Sequence, residues 1–332
     1  MNQDTVLSNE VVVRTESLTK RFGEFVAVDR FDLEVTSGSI VSLLGPNGAG
    51  KTTIVRMLAT LTEPSAGSAT VCGYDVVNQA DRVRSVLSLT GQFAALEDNL
   101  TAQENLILMA RLRGYGRGAA KRVVEGLIER LDIDEFRDKL VKSVSGGQRR
   151  RVDLAASLVV QPRILILDEP TTGLDPRSRQ VVWSVIRELV SEGVTVFLTT
   201  QYLEEADALA NHIVLIDHGR ATAAGTPSEL KSRIGDQRVD VIALDALGLE
   251  KLVGALSSAF ELTVSHDRRM VSIPAPHDLS DLARVTSAVA QTGVSIDEIA
   301  LRRPTLDDAF MALTGQPSDS ASPELQSEGV TS

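Results

Sequence analysis

The hydrophobic and polar positions follow two different periods along most of the chain. From Val11 to Ile40 apolar residues alternate with polar ones, which predicts short antiparallel strands. Further along, the continuous apolar runs of RILILD and VTVFLTT predict buried strands, and amphipathic segments such as SRQVVWSVIRELV predict helices between them. Because strands that alternate with helices usually run parallel, this part of the chain is predicted to be an α/β domain with a mainly parallel sheet.

One segment combines a strand, a glycine-rich loop and a helix. SIVSLLGPNGAGKTTIVRMLATL begins as a buried strand, and Ile54, Met57, Leu58 and Leu61 then recur with the spacing of one helix face. The segment from about Thr101 to Leu140 is also predicted to be helical, with interruptions at its glycines.

The pattern changes after about Arg233. Short strand and helix patterns follow in the order β-α-β-β-α-β, which predicts a small α+β domain of ferredoxin-like type over residues 234–315. Residues 316–332 are rich in serine and poor in large apolar side chains, which predicts a disordered tail. Residues 1–233 then form the main domain.

Composition narrows the class of partner. The chain has 332 residues and a formal net charge of −11, which opposes the attraction that nucleic acid would need, so we expect no nucleic-acid partner. Its single cysteine, Cys72, cannot form an intrachain disulfide and suits a reducing cytoplasm. The start of the chain does not resemble a secretory signal, and no apolar run approaches the roughly eighteen residues of a membrane helix. If membranes are involved, we expect another polypeptide to cross them.

The loop GPNGAGKT carries the strongest chemical signal. It fits the G-x-x-x-x-G-K-[ST] pattern between a predicted strand and a predicted helix, where glycines let backbone N–H groups wrap around a phosphate chain. Lys51 supplies a charge for the β- and γ-phosphates, and the Thr52 hydroxyl can ligate Mg²⁺. A plain glycine-rich turn is the alternative. The predicted phosphate contacts are Gly45, Pro46, Asn47, Gly48, Ala49, Gly50, Lys51, Thr52 and Thr53.

A second motif supplies carboxylates. In ILILDEP, Asp168 ends a buried strand and can hold Mg²⁺, directly or through water, and the adjacent Glu169 can act as a general base. An acidic pair in this position can also be a helix cap or a solvated turn. The phosphate loop upstream favours the catalytic interpretation.

A second cluster of free backbone N–H groups is predicted at the start of the helix in SVSGGQRRRVDLAASLVV. Ser145, Gly146 and Gly147 begin this helix and could hold an anion. Ser145 could equally be an ordinary N-cap with glycines that only shape a turn. The three arginines from Arg149 to Arg151 are interpreted as a solvated helix face.

Taken together, the phosphate loop, VSGGQ, ILILDE and GLDP resemble the motifs of the nucleotide-binding subunit of ABC transporters, in the same order. The resemblance implies a RecA-like P-loop NTPase domain with an antiparallel β subdomain and a helical subdomain at about residues 93–155. In that family the motif that corresponds to VSGGQ is called the signature. Two subunits bind head to tail, and each ATP lies between one subunit's phosphate loop and the other subunit's signature. The resemblance therefore implies that Ser145, Gly146, Gly147 and Gln148 meet the γ-phosphate of ATP bound to the partner chain.

Three further residues match positions of that family. Gln92, in LTGQFAAL, matches the glutamine that links Mg²⁺ and the attacking water to the helical subdomain. Asp175, in TTGLDP, matches the aspartate at the dimer interface. Phe22, in KRFG, occupies the position of the aromatic residue that stacks on adenine, although packing in the core is an alternative for this side chain.

Gln201 departs from the family pattern. In most members the residue that ends this strand is a histidine that contacts the γ-phosphate. A glutamine amide can still donate to a phosphate oxygen, but it cannot transfer a proton. We therefore predict that Glu169 acts as the base alone and that Gln201 senses the γ-phosphate. The alternatives are that Gln201 caps the next helix or that hydrolysis is impaired.

TTQYLEEAD, TTGLDPRSR and the small C-terminal domain resemble the daunorubicin/doxorubicin-resistance branch of drug-exporter ATPases, up to about Gly315. The resemblance implies a homodimer that hydrolyses ATP with Mg²⁺ and powers efflux of drugs or lipophilic compounds. It would dock on a separately encoded integral membrane permease, as a peripheral protein on the cytoplasmic face of the cell membrane. Two alternatives stay open: a soluble ABC ATPase of DNA repair or translation, and a non-hydrolysing, ATP-gated regulatory module.

Overall fold

The structure is a computed structural model that describes residues 10–90, 96–233, 237–275 and 279–314. It divides into two compact units between Pro227 and Ser228. The change of sequence pattern indicates a boundary nearby, after Arg233.

The first unit contains two sheets. Its strands are β1 Val11–Phe22, β2 Phe25–Thr36, β3 Ile40–Leu44, β4 Ala66–Val71, β5 Tyr74–Asp75, β6 Leu87–Thr90, β7 Ile164–Asp168, β8 Thr195–Thr200, β9 His212–Asp217 and β10 Arg220–Gly225. The order β2-β1-β4-β5 makes an antiparallel sheet. The order β10-β9-β3-β8-β7-β6 makes a six-stranded sheet that is parallel except for β10. This combination confirms the predicted α/β fold class.

Helices cover the parallel sheet. They are α1 Lys51–Leu58, α2 Ala80–Val86, α3 Ala102–Leu112, α4 Arg117–Arg130, α5 Gly146–Ser157, α6 Pro176–Ser191 and α7 Leu203–Leu209. A further helix, α8 Pro227–Ser232, crosses the division between the units. Two short 3-10 turns, Asp134–Phe136 and Val141–Ser143, lie between α4 and α5.

Two hydrophobic cores hold the first unit together. One core joins the parallel sheet to α3, α4, α5 and α6, with Leu106, Ile128 and Phe136 fully buried. The other joins the same sheet to α1 and to the antiparallel sheet, around Phe31 and Met57. The central parallel strands β3, β7 and β8 are buried at every position, and their sequences are mostly apolar, as expected for strands that are covered on both faces.

Some local predictions differ from the structure. The strands predicted to be short before Ile40 are two twelve-residue strands, β1 and β2. The helix after the glycine-rich loop ends at Leu58, and Thr60 takes a left-handed conformation with φ 62°, so Leu61 lies beyond the helix and is exposed. The segment predicted to be helical from 101 to 140 is α-helical only to Arg130, as α3 and α4, and a single 3-10 turn follows at Asp134–Phe136.

The second unit has its own small core. Its strands are β11 Arg238–Ala243, β12 Thr263–Ser265, β13 Met270–Pro274 and β14 Ile296–Arg302, and its helices are α9 Ala246–Leu256, α10 Leu279–Thr292 and α11 Leu306–Thr314. The strand order β12-β13-β11-β14 is antiparallel throughout. From β11 to β14 the element order is β-α-β-β-α-β, which is ferredoxin-like topology. The predicted tail, residues 316–332, lies outside the described residues.

Within the described ranges, none of the helices is both long and apolar enough to cross a membrane.

Candidate active site

Three neighbouring parallel strands end at the same edge of the six-stranded sheet. Strand β8 lies between β3 and β7, with Leu44 paired to Thr200 and Asp168 paired to Thr199. The backbone N–H of Gly45 also donates to the Thr200 carbonyl over 3.3 Å. Since ligands of open α/β sheets bind beyond the carboxyl ends of the strands, the segments that follow these strands form one candidate site.

The glycine-rich loop connects β3 to α1 as predicted. Gly48 and Gly50 have φ angles of 81° and 105°, a region that residues with a Cβ rarely adopt. At Gly45 the reason for glycine is space, because a Cβ there would lie 2.2 Å from the carbonyl oxygen of Ile216. Asn47, Gly48 and Thr52 are exposed, whereas Ala49 is buried. Pro46, Gly50 and Thr53 are half-buried.

Lys51 points back over the loop. Its ammonium group donates to the carbonyl oxygens of Gly45 (2.6 Å) and Pro46 (2.9 Å) and lies 3.8 Å from Oε1 of Glu169. Only 4% of the side chain is exposed. Burial lowers the pKa of this amine, against the carboxylates of Glu169 and Asp168, which raise it. The charge is thus held where the loop and the end of β7 meet.

Asp168 is a buried acidic residue with two hydroxyl partners. Its Oδ1 accepts from Thr199 Oγ1 (2.5 Å), on the neighbouring strand, and from Thr52 Oγ1 (3.4 Å), at the start of α1. A hydroxyl and a carboxylate this close are oxygen donors of the kind that Mg²⁺ prefers. Within the described ranges, no group of three or more His, Cys, Asp or Glu side chains could hold a metal ion. The donor set suits an ion that takes its remaining ligands from phosphates and water.

Glu169 follows β7 in an unusual conformation. Its φ is 50°, which is rare for a residue with a side chain and typically costs about 1–3 kcal/mol. Its N–H donates to the Thr199 carbonyl (3.1 Å) and lies 3.2 Å from the Thr199 hydroxyl, while Oε2 accepts from Thr172 Oγ1 (3.3 Å). The turn at Glu169 keeps its carboxylate beside Lys51.

The signature segment begins α5. Ser145 is its N-cap: the Ser145 hydroxyl accepts from the Gln148 N–H (3.2 Å), and Gln148 Oε1 accepts from the Ser145 N–H (3.0 Å). This capping box is the ordinary role that the sequence left open for Ser145. Ser145 and Gly146 are exposed, so another molecule can reach them.

Asp175 and Gly147 lie close together. A Cβ at Gly147 would lie 2.9 Å from Ser178 Oγ and 3.5 Å from Asp175 Oδ2. Asp175 caps α6 and accepts from the Ser178 N–H (2.9 Å) and hydroxyl (2.6 Å), which lower the pKa of its carboxyl group. The signature helix therefore packs directly on the GLDP segment of the same chain.

Three of the predicted site residues have few or no described contacts. Gln201 is half-buried and directly follows Thr200, whose carbonyl accepts from the N–H of Gly45 at the start of the phosphate loop. Phe22 ends β1 with 54% of its surface exposed and the Lys20 ammonium 5.1 Å from its ring centre. The alternative that Phe22 packs in this chain's core is therefore wrong. Gln92 lies outside the described residues.

Some structurally important residues were missed at the sequence level. Arg150 is not part of a solvated face: its guanidinium donates to the carbonyl oxygens of Asp168, Glu169 and Pro170. Arg151 packs over the ring of Phe136. These contacts join residues far apart in sequence, and the run of three arginines gave no sign of them.

Glu205 was also missed. It is 1% exposed, and its Oε1 accepts from Thr171 Oγ1 (2.8 Å) and Trp183 Nε1 (3.2 Å). Burial raises the pKa of this carboxyl group. Glu205 joins α7 to α6 and to the segment after β7, so it helps to hold the segment that follows Glu169 in place.

A parallel sheet whose strand ends carry this loop, a buried aspartate and an adjacent glutamate defines a P-loop nucleoside triphosphatase. Comparison with known proteins gives the family. Residues 28–172 match the ABC transporter family. The chain is 47% identical over 306 residues to the daunorubicin resistance ATP-binding protein DrrA3 of Streptomyces coeruleorubidus, covering 92% of this chain and 96% of that protein.

Two further comparisons agree. The Nod factor export ATP-binding protein I of Ralstonia nicotianae is 37% identical, with 92% of this chain and 94% of that protein covered. A solved ATP-binding cassette, described as a dimer in a post-hydrolysis state with ADP and Pi, is 23% identical and has the same fold (TM-score 0.60; 64% of this chain and 98% of that one). The chain belongs to the ABC transporter family, as the ATP-binding and ATP-hydrolysing subunit of an exporter.

Proposed function

We propose that this subunit hydrolyses Mg²⁺-bound ATP as a head-to-tail homodimer and thereby powers efflux of drugs or lipophilic compounds through a separate permease. The proposed ATP-binding domain is residues 1–233, with a helical subdomain at about 93–155, and residues 234–315 are an accessory domain. The relatives named for daunorubicin resistance and Nod factor export support the direction of transport and the kind of cargo. The permease would hold the subunit at the cytoplasmic face of the membrane.

In this proposal several residues of the chain divide the work at one ATP. Backbone N–H groups between Asn47 and Thr53, in the loop after Pro46 and in the first turn of α1, hold the phosphates, while Lys51 neutralises the β- and γ-phosphates. Phe22, exposed at the end of β1, stacks on adenine. Gln201 donates its amide to the γ-phosphate, and Gln92 joins the metal and the attacking water to the helical subdomain.

Bound Mg²⁺ would neutralise the developing charge on the phosphates. Thr52 and Asp168 would hold it, and the 3.4 Å between their oxygens supports this pairing. Glu169 would take the proton of the attacking water as the general base. Its position 3.8 Å from the Lys51 ammonium, beside the phosphate loop, is the observation that carries the proposal.

The dimer would place each signature on the partner's ATP. At the start of α5, exposed Gly146 offers its backbone N–H and the helix dipole to the partner's γ-phosphate, and exposed Ser145 offers its hydroxyl, with Gly147 and Gln148 behind them. Asp175, packed against the signature, would lie at the same interface. ATP would close the dimer, and hydrolysis would open it.

The permease would dock in a cavity between the parallel sheet and the helical segment. This cavity has a volume of about 370 Å³ and is lined by residues of α2, α3, α5, β6 and the segment after α1, among them Leu61, Leu89, Met109 and Asp153. Leu61 is 57% exposed, an apolar surface that a membrane partner could cover. Leu61→Asp should reduce co-purification with a co-expressed permease, while ATP affinity stays unchanged.

Phosphate release by Glu169→Gln tests the catalytic assignment. This substitution keeps the shape of the side chain and removes the base, so turnover should fall by about 10²–10⁴-fold while ATP binding persists. Glu188→Gln is the matched control, because Glu188 is a half-exposed carboxylate in the last turn of α6 that pairs with Arg130. Near-normal turnover of Glu169→Gln would refute the assignment.

Lys51→Ala tests the phosphate loop separately. Tight ATP binding should disappear, and unchanged affinity would contradict the role of Lys51. If the unsubstituted protein binds ATP but releases no phosphate, the regulatory alternative is correct. If it hydrolyses ATP but never co-purifies with a permease, a soluble role is favoured.

A further inference from the structure

The side chain of Arg150 holds three consecutive backbone carbonyls. Its Nη2 donates to Asp168 O (2.8 Å) and Glu169 O (3.3 Å), and its Nε donates to Pro170 O (3.1 Å). Only 16% of the side chain is exposed. A guanidinium can do this because its N–H donors lie in a rigid planar fork, whereas a lysine ammonium is a single point.

The segment held by Arg150 is the one that aims Glu169. At this point the chain leaves β7 and turns through the left-handed φ of 50° at Glu169. A conformation of this kind persists only when its surroundings enforce it. Thr199 fixes the N–H of Glu169 from β8, and Arg150 fixes its carbonyl from the other side. The direction of the Glu169 carboxylate thus depends on a contact from α5.

The other end of this connection is the signature. Arg150 lies in the first turns of α5, two residues after Gln148 and close to the capping box at Ser145. Its Nη1 also pairs with Asp153 Oδ2 (3.1 Å), one turn further along the helix. Because α5 is a single helix, a shift at Ser145 moves the guanidinium that holds Glu169.

We infer that Arg150 is a positioning residue that couples the signature helix to Glu169 of the same chain. This inference rests on the proposed function, in which the signature contacts the ATP of the partner. When Ser145 and Gly146 engage that ATP, α5 is fixed, and Arg150 sets the orientation of Glu169 at the chain's own ATP. Each site is then completed only when the other is occupied.

Single substitutions give the first test. Arg150→Gln should lower kcat by about 10- to 100-fold, since charge-assisted hydrogen bonds to the turn are lost, with ATP affinity changed less than about twofold. Arg150→Lys keeps the positive charge beside Asp153 but loses the planar fork of donors. Its kcat should therefore also be well below that of the unsubstituted protein. Full activity of both variants would overturn the inference, and this outcome would leave Glu169 as the base.

A mixing experiment separates coupling from a structural role. Each variant is mixed with a tenfold excess of Glu169→Gln, so that nearly every variant chain faces an inactive partner with an intact signature. Ser145→Ala should regain only part of the turnover per variant chain that unsubstituted protein shows in the same mixture. The partner's intact signature completes its site, but its own altered signature no longer fixes α5 and, through Arg150, its Glu169. Arg150→Gln should not regain turnover, because the substitution disturbs Glu169 of the same chain.

The outcomes are distinct. If Arg150→Gln is restored to the turnover of unsubstituted protein in the same mixture, Arg150 only maintains the signature helix and the inference is wrong. If Ser145→Ala is restored completely, the signature does not act on Glu169 of its own chain, and the inference is also wrong. If the unsubstituted protein does not hydrolyse ATP at all, the proposed function itself fails. Urea unfolding midpoints of the variants check folding, and Arg150→Lys keeps the test decisive if Arg150→Gln is unstable.

Discussion

The hydroxyl of Thr199 donates a 2.5 Å hydrogen bond to the carboxylate of Asp168 on the neighbouring strand. The same hydroxyl lies 3.2 Å from the N–H of Glu169, and Thr199 is fully buried. One side chain of β8 therefore orients both acidic residues at the end of β7.

Replacement of Thr199 by valine removes this hydroxyl at nearly constant shape. We expect Thr199→Val to lower the free energy of unfolding by about 1–3 kcal/mol, the cost of a buried acceptor that loses its partner. Turnover should also need more Mg²⁺, because the Asp168 carboxylate is no longer aligned. Urea denaturation and a Mg²⁺ titration of ATPase activity measure both effects. Thr199→Ser keeps the hydroxyl, and equal behaviour of the two variants would contradict this role.

Gly147 and Gly146 make a matched pair in the signature. An added Cβ at Gly147 would meet Ser178 Oγ at 2.9 Å, whereas nothing lies within 4 Å of one at Gly146. We expect Gly147→Ala to destabilise the fold by about 1–3 kcal/mol, as overpacking does. Gly146→Ala should leave stability nearly unchanged and still reduce turnover, because the partner's ATP must approach there. A normal ATPase rate in Gly146→Ala would count against that approach.

Phe22 and Phe25 face each other across the hairpin of β1 and β2 and are both exposed. If Phe22 stacks on adenine, Phe22→Ala should weaken ATP binding by about 1–3 kcal/mol. Stability should hardly change, since little buried surface is lost. Phe25→Ala is the control, and calorimetric titration with ATP compares the two. A similar loss of affinity in both variants would point to hairpin packing instead.

Gln201 should act through a donated hydrogen bond and not through proton transfer. Gln201→Glu keeps the shape but removes the amide donor and brings a negative charge towards the phosphates, so turnover should fall by at least about tenfold. Gln201→Ala removes the donor without adding charge, so its turnover should fall less. Steady-state kinetics distinguish the two, and an unimpaired Gln201→Glu enzyme would exclude a γ-phosphate contact.

Asp153 should make stability depend on pH. Burial raises its pKa from 3.8 to about 6, more than the nearby Arg150 and Arg149 lower it. Because the folded chain then binds this proton more tightly than the unfolded chain, Asp153 removes stability as the pH rises from about 4 to about 6. Asp153→Asn cannot ionise. Between pH 4 and pH 7 its unfolding free energy should gain about 2–3 kcal/mol relative to the unsubstituted protein. Urea titrations at several pH values would reveal a constant difference if this is wrong.

The sequence was informative where structure follows from adjacent residues. The phosphate loop could be predicted because Gly45 to Thr52 carry glycines, lysine and threonine at fixed spacing between a strand and a helix. The apolar strand before Asp168 likewise indicated where its carboxylate lies. Because Gln201 also follows a parallel strand, it could be expected at the same edge of the sheet as the phosphate loop and Asp168.

The sequence was uninformative where a long side chain reaches another segment. Arg150 contacts carbonyls about twenty positions away, and nothing in a run of arginines distinguishes that contact from a solvated face. Leu61 kept the helical spacing, but the helix had already ended at Leu58. Spacing cannot show where a backbone changes direction, as it does at Thr60.

The central place of β8 has a mechanical consequence. Since β8 is hydrogen-bonded to β3 on one side and to β7 on the other, the phosphate loop and the acidic residues belong to one stiff platform. A sheet interior does not stretch easily, so the subunit has little freedom to slow or hasten the reaction by deforming this platform. Timing must come from outside the sheet, through helices and neighbouring chains that bring the last groups into place.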